Sequence, residues 1–372
     1  MSRLQLISLI LLSAAIVMLL PAPAFASNTY AVGTCEPHLT SYSTISSAVS
    51  RVPAGAVIEV CPGNYPEQVL ITKPLTLRGV LSAGSSAAVV AVPSGGLTQS
   101  VMSPSCPFSP LYYQILVQQT SGPVDISNLV VDGTGGNEEG CLAGIYYQDA
   151  SGRLSDVTTQ NQGGSFGFGI FAETILSAAQ DVTIENNVVL GFSYQGVTAN
   201  SNSGPLTVDI KGNTVESFGD ETSGVYVSGV AGGTIRSNLI TTGANNGGNV
   251  AGIFLHNAAI EATANTVIEE SSTENNDYAF LVEGGSVEIT KNRIDAGGQL
   301  GLNLQNTGTN SIVEQNTIVN SSSAITGCAD TLGYTVSHNT VIDAAVGIQI
   351  AGGNVSAPNT FYATPVTTAS CP

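Results

Sequence analysis

The chain has 372 residues, no Trp, a formal net charge of −18 and only 10% charged residues. An average soluble domain is about a quarter charged, so this surface has to be built largely from Ser, Thr, Asn, Gln and Gly. The acidic balance excludes nucleic acids and anionic membranes as partners, because both are held by a basic face.

Residues 1–26 read as a secretory signal peptide. Arg3 precedes the apolar run "LQLISLILLSAAIVMLL", and Ala24-Phe25-Ala26 supplies a small-x-small cleavage pattern before Ser27. A run of this length could instead stay as a membrane anchor. No later stretch is long and apolar enough to span, so the expected product is a soluble monomer, secreted or periplasmic. Six cysteines in such a compartment favour disulfides. Sequence proximity suggests the pairs Cys35–Cys61, Cys106–Cys141 and Cys328–Cys371. No Cys/His cluster has zinc-site spacing.

Residues 27–56 are expected to form an N-terminal segment with a capping helix, and 57–372 a repeat domain. In "YSTISSAVSRVPAG", Tyr42 to Gly55, the apolar Ile45, Ala48, Val49 and Val52 recur at helical spacing. "VIEVCPGNYPEQVLITKPLTLRG", Val57 to Gly79, then reads as three short strands. Gly63-Asn64 and Lys73-Pro74 are its expected corners, and the whole is the first coil.

From the middle of the chain one phrase recurs: apolar, any, any, Asn, any, apolar. It carries Asn187, Asn213, Asn238, Asn265, Asn292, Asn316 and Asn339, at intervals of 26, 25, 27, 27, 24 and 23 residues. Asn128 reads as an earlier copy and Asn359 as a degraded late one. Between the copies lies a second phrase, Gly-apolar-any-apolar, as in "AGIYYQ", "FGIFAE", "SGVYVS" and "AGIFLH". Alternation calls for strands with one buried face, and a fixed period for a repeat architecture. Turns of about 25 residues stacked about 4.8 Å apart give an all-β, right-handed parallel β-helix of ten or eleven turns, roughly 50 Å long. The recurring Asn is expected at a corner, in the left-handed conformation that Asn tolerates. Its side chain would bond its copies in neighbouring turns.

The stretch "TISSAVSRVPAGAVIEVCPGNYPEQVLITKPLTLRG" resembles the start of pectinesterases and, more loosely, other members of the pectin-lyase-like superfamily. The match rests on Ile58, Val60, Pro62, Gly63, Tyr65, Glu67, Lys73, Leu75, Leu77 and Gly79. The resemblance implies the β-helix fold and carbohydrate association. The esterase machinery does not carry over. Gln148-Asp149 lacks the Thr-Leu of the Gln-Asp-Thr-Leu motif, Asp330-Thr331-Leu332 lacks its Gln, and the Trp-containing motif has no counterpart. Galacturonase and pectate-lyase motifs are also missing.

Taking the Gly-apolar phrase in register through the stack yields two outward columns. The first is Tyr146, Phe171, Thr198, Tyr226, Phe254, Leu281, Asn303. The second is Gln148, Glu173, Asn200, Ser228, His256, Glu283, Gln305. Aromatics one or two turns apart lie about 5 to 10 Å from one another, which suits stacking on sugar rings. Tyr146, Gln148, Phe171, Glu173, Asn200, Tyr226, Phe254 and Gln305 are therefore candidate saccharide-binding residues. The alternative is that a loop covers this face and buries the rings. Glu173 and Glu283 are four turns, about 19 Å, apart, too far for a glycosidase pair. His256 and Glu283 sit on adjacent turns and are the candidate proton-transfer pair. Asp220-Glu221 and Glu269-Glu270 read as solvated loop acids, with calcium as the one cation reading; no cofactor is otherwise expected. Two functions stay open: a secreted protein that binds or processes polysaccharide or a cell-surface glycan, and a non-catalytic surface, adhesin-like scaffold. Pectinesterase-like chemistry is the minor alternative.

Overall fold

A computed structural model of the chain describes residues 28–81, 87–106, 110–136, 140–217, 223–243, 251–270, 277–306, 308, 310–329, 334–351, 354–355, 358–369 and 371. The expected signal peptide, Asp220-Glu221 and Asp330-Thr331-Leu332 lie outside these residues. The fold is a right-handed parallel β-helix of about eleven turns. The first strands of successive turns form a 14-stranded sheet, and the remaining strands a 23-stranded one.

The alternating sequence explains the winding. In the turn from Leu206 to Ser228, Leu206, Val208, Ile210, Val215, Val225 and Val227 point inward and are at most 1% exposed. Thr207, Asp209 and Thr214, between them, reach outward to varying degrees. Each inward aliphatic side chain contributes about 1.5–3 kcal/mol by leaving water. The stacking is parallel, so Val208 pairs with Val182 and Gly233, and Val215 with Val189 and Ile240. Gly in the second phrase is a close-approach position: a Cβ on Gly252 would lie 2.3 Å from Val267 Cγ1 and 2.8 Å from Ala279 O.

The helix Ile45–Arg51 closes the first turn, burying Ile45, Ala48 and Val49. Thr44 caps it by accepting from Ser47 N at 3.1 Å. Glu67 accepts from Ile45 N at 2.8 Å and from Ser46 N at 2.9 Å, so a carboxylate sits on the helix N-terminus. Lys73 donates to Ser50 O and Val52 O at the other end. The Glu and Lys of the pectinesterase-like stretch are thus the two ends of a clamp on the cap. Two expectations need correction here. Gly63–Pro66 is itself a strand, paired with Ala88–Ala91, so Gly63-Asn64 is not a corner. Leu75–Gly79 stacks on Ala56–Val60 and opens the next turn, not the end of the first. The reason is that Cys61-Pro62 already bends the chain and leaves "GNYP" free to run extended.

The Asn ladder stands, one step away from the expected geometry. Asn213 N and Nδ2 both donate to Asn238 Oδ1, each at 2.9 Å, and Asn238 N and Nδ2 to Asn265 Oδ1 at 3.1 and 2.9 Å. The same links run from Asn187 to Asn359. The left-handed residue is not the ladder Asn but the residue before it: Asn186, Gly212, Ser237, Ala264, Lys291, Gln315 and His338 all have φ between 55° and 64°. Asn128, at φ 56°, belongs to that preceding file, and Leu129 occupies the ladder place, stacked on Val157 as its neighbours Val130 and Thr158 pair. The three disulfides join Cys35–Cys61, Cys106–Cys141 and Cys328–Cys371, as expected.

Candidate functional site

The two columns form in the expected register. Tyr146 pairs with Phe171, Phe171 with Thr198, Thr198 with Tyr226, Tyr226 with Phe254, Phe254 with Leu281 and Leu281 with Asn303. Gln148, Glu173, Asn200, Ser228, His256, Glu283 and Gln305 follow in the same strands. The face they build is divided in two.

Its first half is covered. Residues 97–106 cross it as a strap, and Ser100–Val101 pair antiparallel with the strand Leu111–Gln118. Gln68 pins the start, accepting from Thr98 N and Gln99 N at 2.8 and 2.9 Å. The Cys106–Cys141 disulfide ties down the end. Between them Glu173 acts as a latch. It accepts from Ser103 Oγ, Ser105 Oγ and Asn202 Nδ2, each at 2.8 Å, and from the Tyr146 hydroxyl. Gln148 donates to Met102 O at 2.9 Å, and Asn200 to Ser105 Oγ at 2.6 Å. Beneath the strap Tyr146, Phe168 and Phe171 stack, with centroids 4.7 and 4.9 Å apart. They form a second apolar cluster with Cys106, Leu111, Tyr113 and Cys141. Burial pushes the Tyr146 hydroxyl well above its ordinary pKa, and the Glu173 charge adds to the shift. Tyr146, Gln148, Phe171, Glu173 and Asn200, five of the expected saccharide contacts, are therefore structural: they are between 0 and 7% exposed. Glu173 holds the strap in place of facing a ligand.

In the second half Tyr226, Phe254, His256, Glu283 and Gln305 are all partly exposed, while Leu281 is buried. Two depressions share Glu283 and Gln305 as a common wall. One is lined by Phe254, Tyr278 and Leu281, the other by His256, Asn257, Gly284 and Asn306. Tyr226 meets Phe254 edge to face at 5.1 Å and continues the aromatic floor. Burial and the Glu283 charge raise the Tyr226 hydroxyl's pKa, partly offset by Ser228. The result is a groove with an aromatic floor and a polar edge, crossing the strands Ser223–Ser228, Ala251–His256, Tyr278–Glu283 and Leu300–Gln305. Tyr278 was not among the sequence candidates. Its signal was faint, because Ala279 stands where Gly252 and Gly301 mark the phrase in neighbouring turns.

His256 Nδ1 lies 3.2 Å from Glu283 Oε2, and His256 Nε2 lies 3.0 Å from Asn257 Nδ2. In a neutral ring Nδ1–H donates to the carboxylate and the Asn257 amide donates to Nε2, so both nitrogens are engaged. Glu269, expected to be solvated, is instead 3% exposed. Burial pushes its carboxyl up to about 8, opposed by Thr242 and Gly252 and aided by Asp277. The cause is stacking: Glu269 pairs with Thr242 at the inner end of a strand, while Glu270 takes the outward place. Among the described residues no three His, Cys, Asp or Glu side chains are grouped to hold a metal ion. No helix among them is long and apolar enough to cross a membrane.

Residues 195–361 match the family described as right handed beta helix region. No curated protein matches the sequence at a significant level. Among solved structures, the A-module of the mannuronan C-5 epimerase AlgE4 from Azotobacter vinelandii is 17% identical with a TM-score of 0.50. That match covers 84% of this chain and 93% of the epimerase module. The GH136 lacto-N-biosidase from Eubacterium ramulus is 12% identical with a TM-score of 0.59, covering 90% of this chain and 67% of that one. At these identities the likeness speaks to the fold alone.

Proposed function

We propose that this is a secreted β-helix protein that binds an extracellular polysaccharide in the groove from Tyr226 to Gln305. The observation that carries the reading is the meeting of half-buried rings, Phe254 and Tyr278 in one depression with Tyr226 packed on Phe254, with the polar side chains of His256, Glu283 and Gln305 that line the two depressions. Rings present flat apolar faces to sugar C–H groups, and the amide, imidazole and carboxylate bind hydroxyls. Two further points support it. Three disulfides fit an oxidising, extracellular or periplasmic location. Two proteins of this fold are named as saccharide-acting enzymes, a mannuronan C-5 epimerase and a lacto-N-biosidase.

Binding is favoured over processing. Glu173, the other acid of the column, is consumed by the strap. His256 has both ring nitrogens engaged by Glu283 and Asn257, so the imidazole offers no free nitrogen to act as a base. A glycan array read with the wild type, Phe254→Ala and Tyr226→Ala tests this. The expected result is a defined set of glycans bound by the wild type and lost by both variants. Equal signals from all three proteins would remove the groove from the account and leave the scaffold reading.

A further inference from the structure

We propose that the groove selects sugars bearing a free ammonium group, with Glu283 as the counter-charge and Tyr226 and Phe254 as the aromatic walls. This rests on the glycan-binding reading above. Glu283 lines both depressions, so a chain lying along the groove meets its carboxylate in either one. Its side chain is 37% exposed, and Oε2 is used by His256. No hydrogen bond to Oε1 is found among the described residues, and the side chain lines both depressions. A second oxygen is therefore available to an incoming N–H donor without displacing the histidine. Tyr226 senses the same charge, since Glu283 contributes to the upward shift of its hydroxyl. Carboxylate and ring thus act on one region of space. A cation placed there gains a charge-assisted hydrogen bond together with attraction to a ring face.

The absence of basic partners points the same way. No Lys or Arg lines either depression among the described residues. Arg153, Lys211 and Arg236 pair with Glu185 and Asp209 on the 14-stranded sheet, away from the groove. A uronate or sulfated sugar would set its negative charge against Glu283 with no counter-ion, in a chain of net charge −18. A neutral sugar would leave Oε1 with water. A glucosamine unit satisfies it.

The test compares three hexasaccharides of one backbone geometry by titration calorimetry: β-1,4-glucosamine, its fully N-acetylated form, and cellohexaose. Wild type, Glu283→Gln and Glu288→Gln are titrated with each. Glu288 is an exposed acid on the other sheet, beside Glu261, and controls for general attraction of a polycation. The expected result is about tenfold tighter binding of the glucosamine oligomer than of cellohexaose. Glu283→Gln should abolish this preference and Glu288→Gln preserve it. Equal affinity for charged and neutral oligomers overturns the ammonium inference and leaves the glycan-binding reading intact. So does a preference that survives Glu283→Gln, or one that falls equally in Glu288→Gln. Binding of none of the three oligomers overturns the ammonium inference, and an empty glycan array alongside it removes the parent reading too.

Discussion

Phe171 stacks on Tyr146 with ring centroids 4.7 Å apart and planes 9° from parallel, and neither ring reaches solvent. Two aromatics in a nominally outward column have become a second core because a strap lies across them. Phe171→Ala should therefore act on stability. Removing a fully buried ring costs about 3–5 kcal/mol, whereas Phe254→Ala, at a half-buried position, should cost less. Urea unfolding of the two variants checks the order. A Phe171→Ala protein as stable as the wild type would mean that the strap does not seal this face.

The strap depends on one carboxylate. Glu173→Ala leaves the hydroxyls of Ser103, Ser105 and Tyr146 without their acceptor, at about 1–3 kcal/mol for each buried group left unsatisfied. Local opening should rise by about tenfold or more, read as faster chymotryptic cleavage near Met102. Unchanged cleavage would show that the disulfide and Gln68 hold the strap unaided.

The Asn ladder should be intolerant in its middle. Asn238 accepts two bonds from Asn213 and donates to Ile210 O and Asn265 Oδ1. Asn238→Ala removes all four and should destabilise the protein by at least about 2 kcal/mol. Asn238→Asp should do no better, because it keeps the acceptor, loses the donors and adds a buried charge. Denaturation midpoints of the two variants decide it.

Glu269 should impose a pH slope on stability. Its carboxyl is pushed up to about 8 in the folded protein by burial, against an ordinary value of 4.5. Below 4.5 both states hold the proton, and the full stability is present. Between 4.5 and about 8 the unfolded chain ionises while the folded one does not. Folding therefore weakens with rising pH by about 1.4 kcal/mol per unit from this group. Above about 8 the loss is complete. Glu269→Gln should flatten the melting-temperature profile across that window. Parallel profiles for the two proteins would contradict the assignment.

Much of this was legible in the amino acids, for a physical reason: a solenoid repeats its environment, so it repeats its sequence. The interval between Asn187 and Asn213 declares the turn length. The phrase around Gly252 declares which residues of Ala251–His256 face outward, and helical spacing from Ile45 to Val52 declares the cap. A covering loop stood as the alternative reading, but which residues form the strap, and how far along the face it reaches, was not legible. Residues 97–106 occur once, and their partners Glu173 and Asn200 are 70 and 95 positions from the serines they bind. No local pattern encodes such a contact. Asn128 misled because the left-handed corner and the ladder are adjacent places that both accept Asn. The role of Glu67 was not legible because its partners, the amides of Ile45 and Ser46, lie 22 and 21 positions earlier in the chain. The groove was half visible: Tyr226, Phe254, His256 and Glu283 followed from register, while Tyr278 lay outside the phrase.

The most direct test of the account is hydrogen exchange with and without the strongest glycan from the array. Protection should appear in Ala251–His256, Tyr278–Glu283 and Leu300–Gln305, with the strap and the strands beneath it unchanged. Protection centred on residues 97–106 or on the 14-stranded sheet would place the ligand elsewhere and contradict the groove.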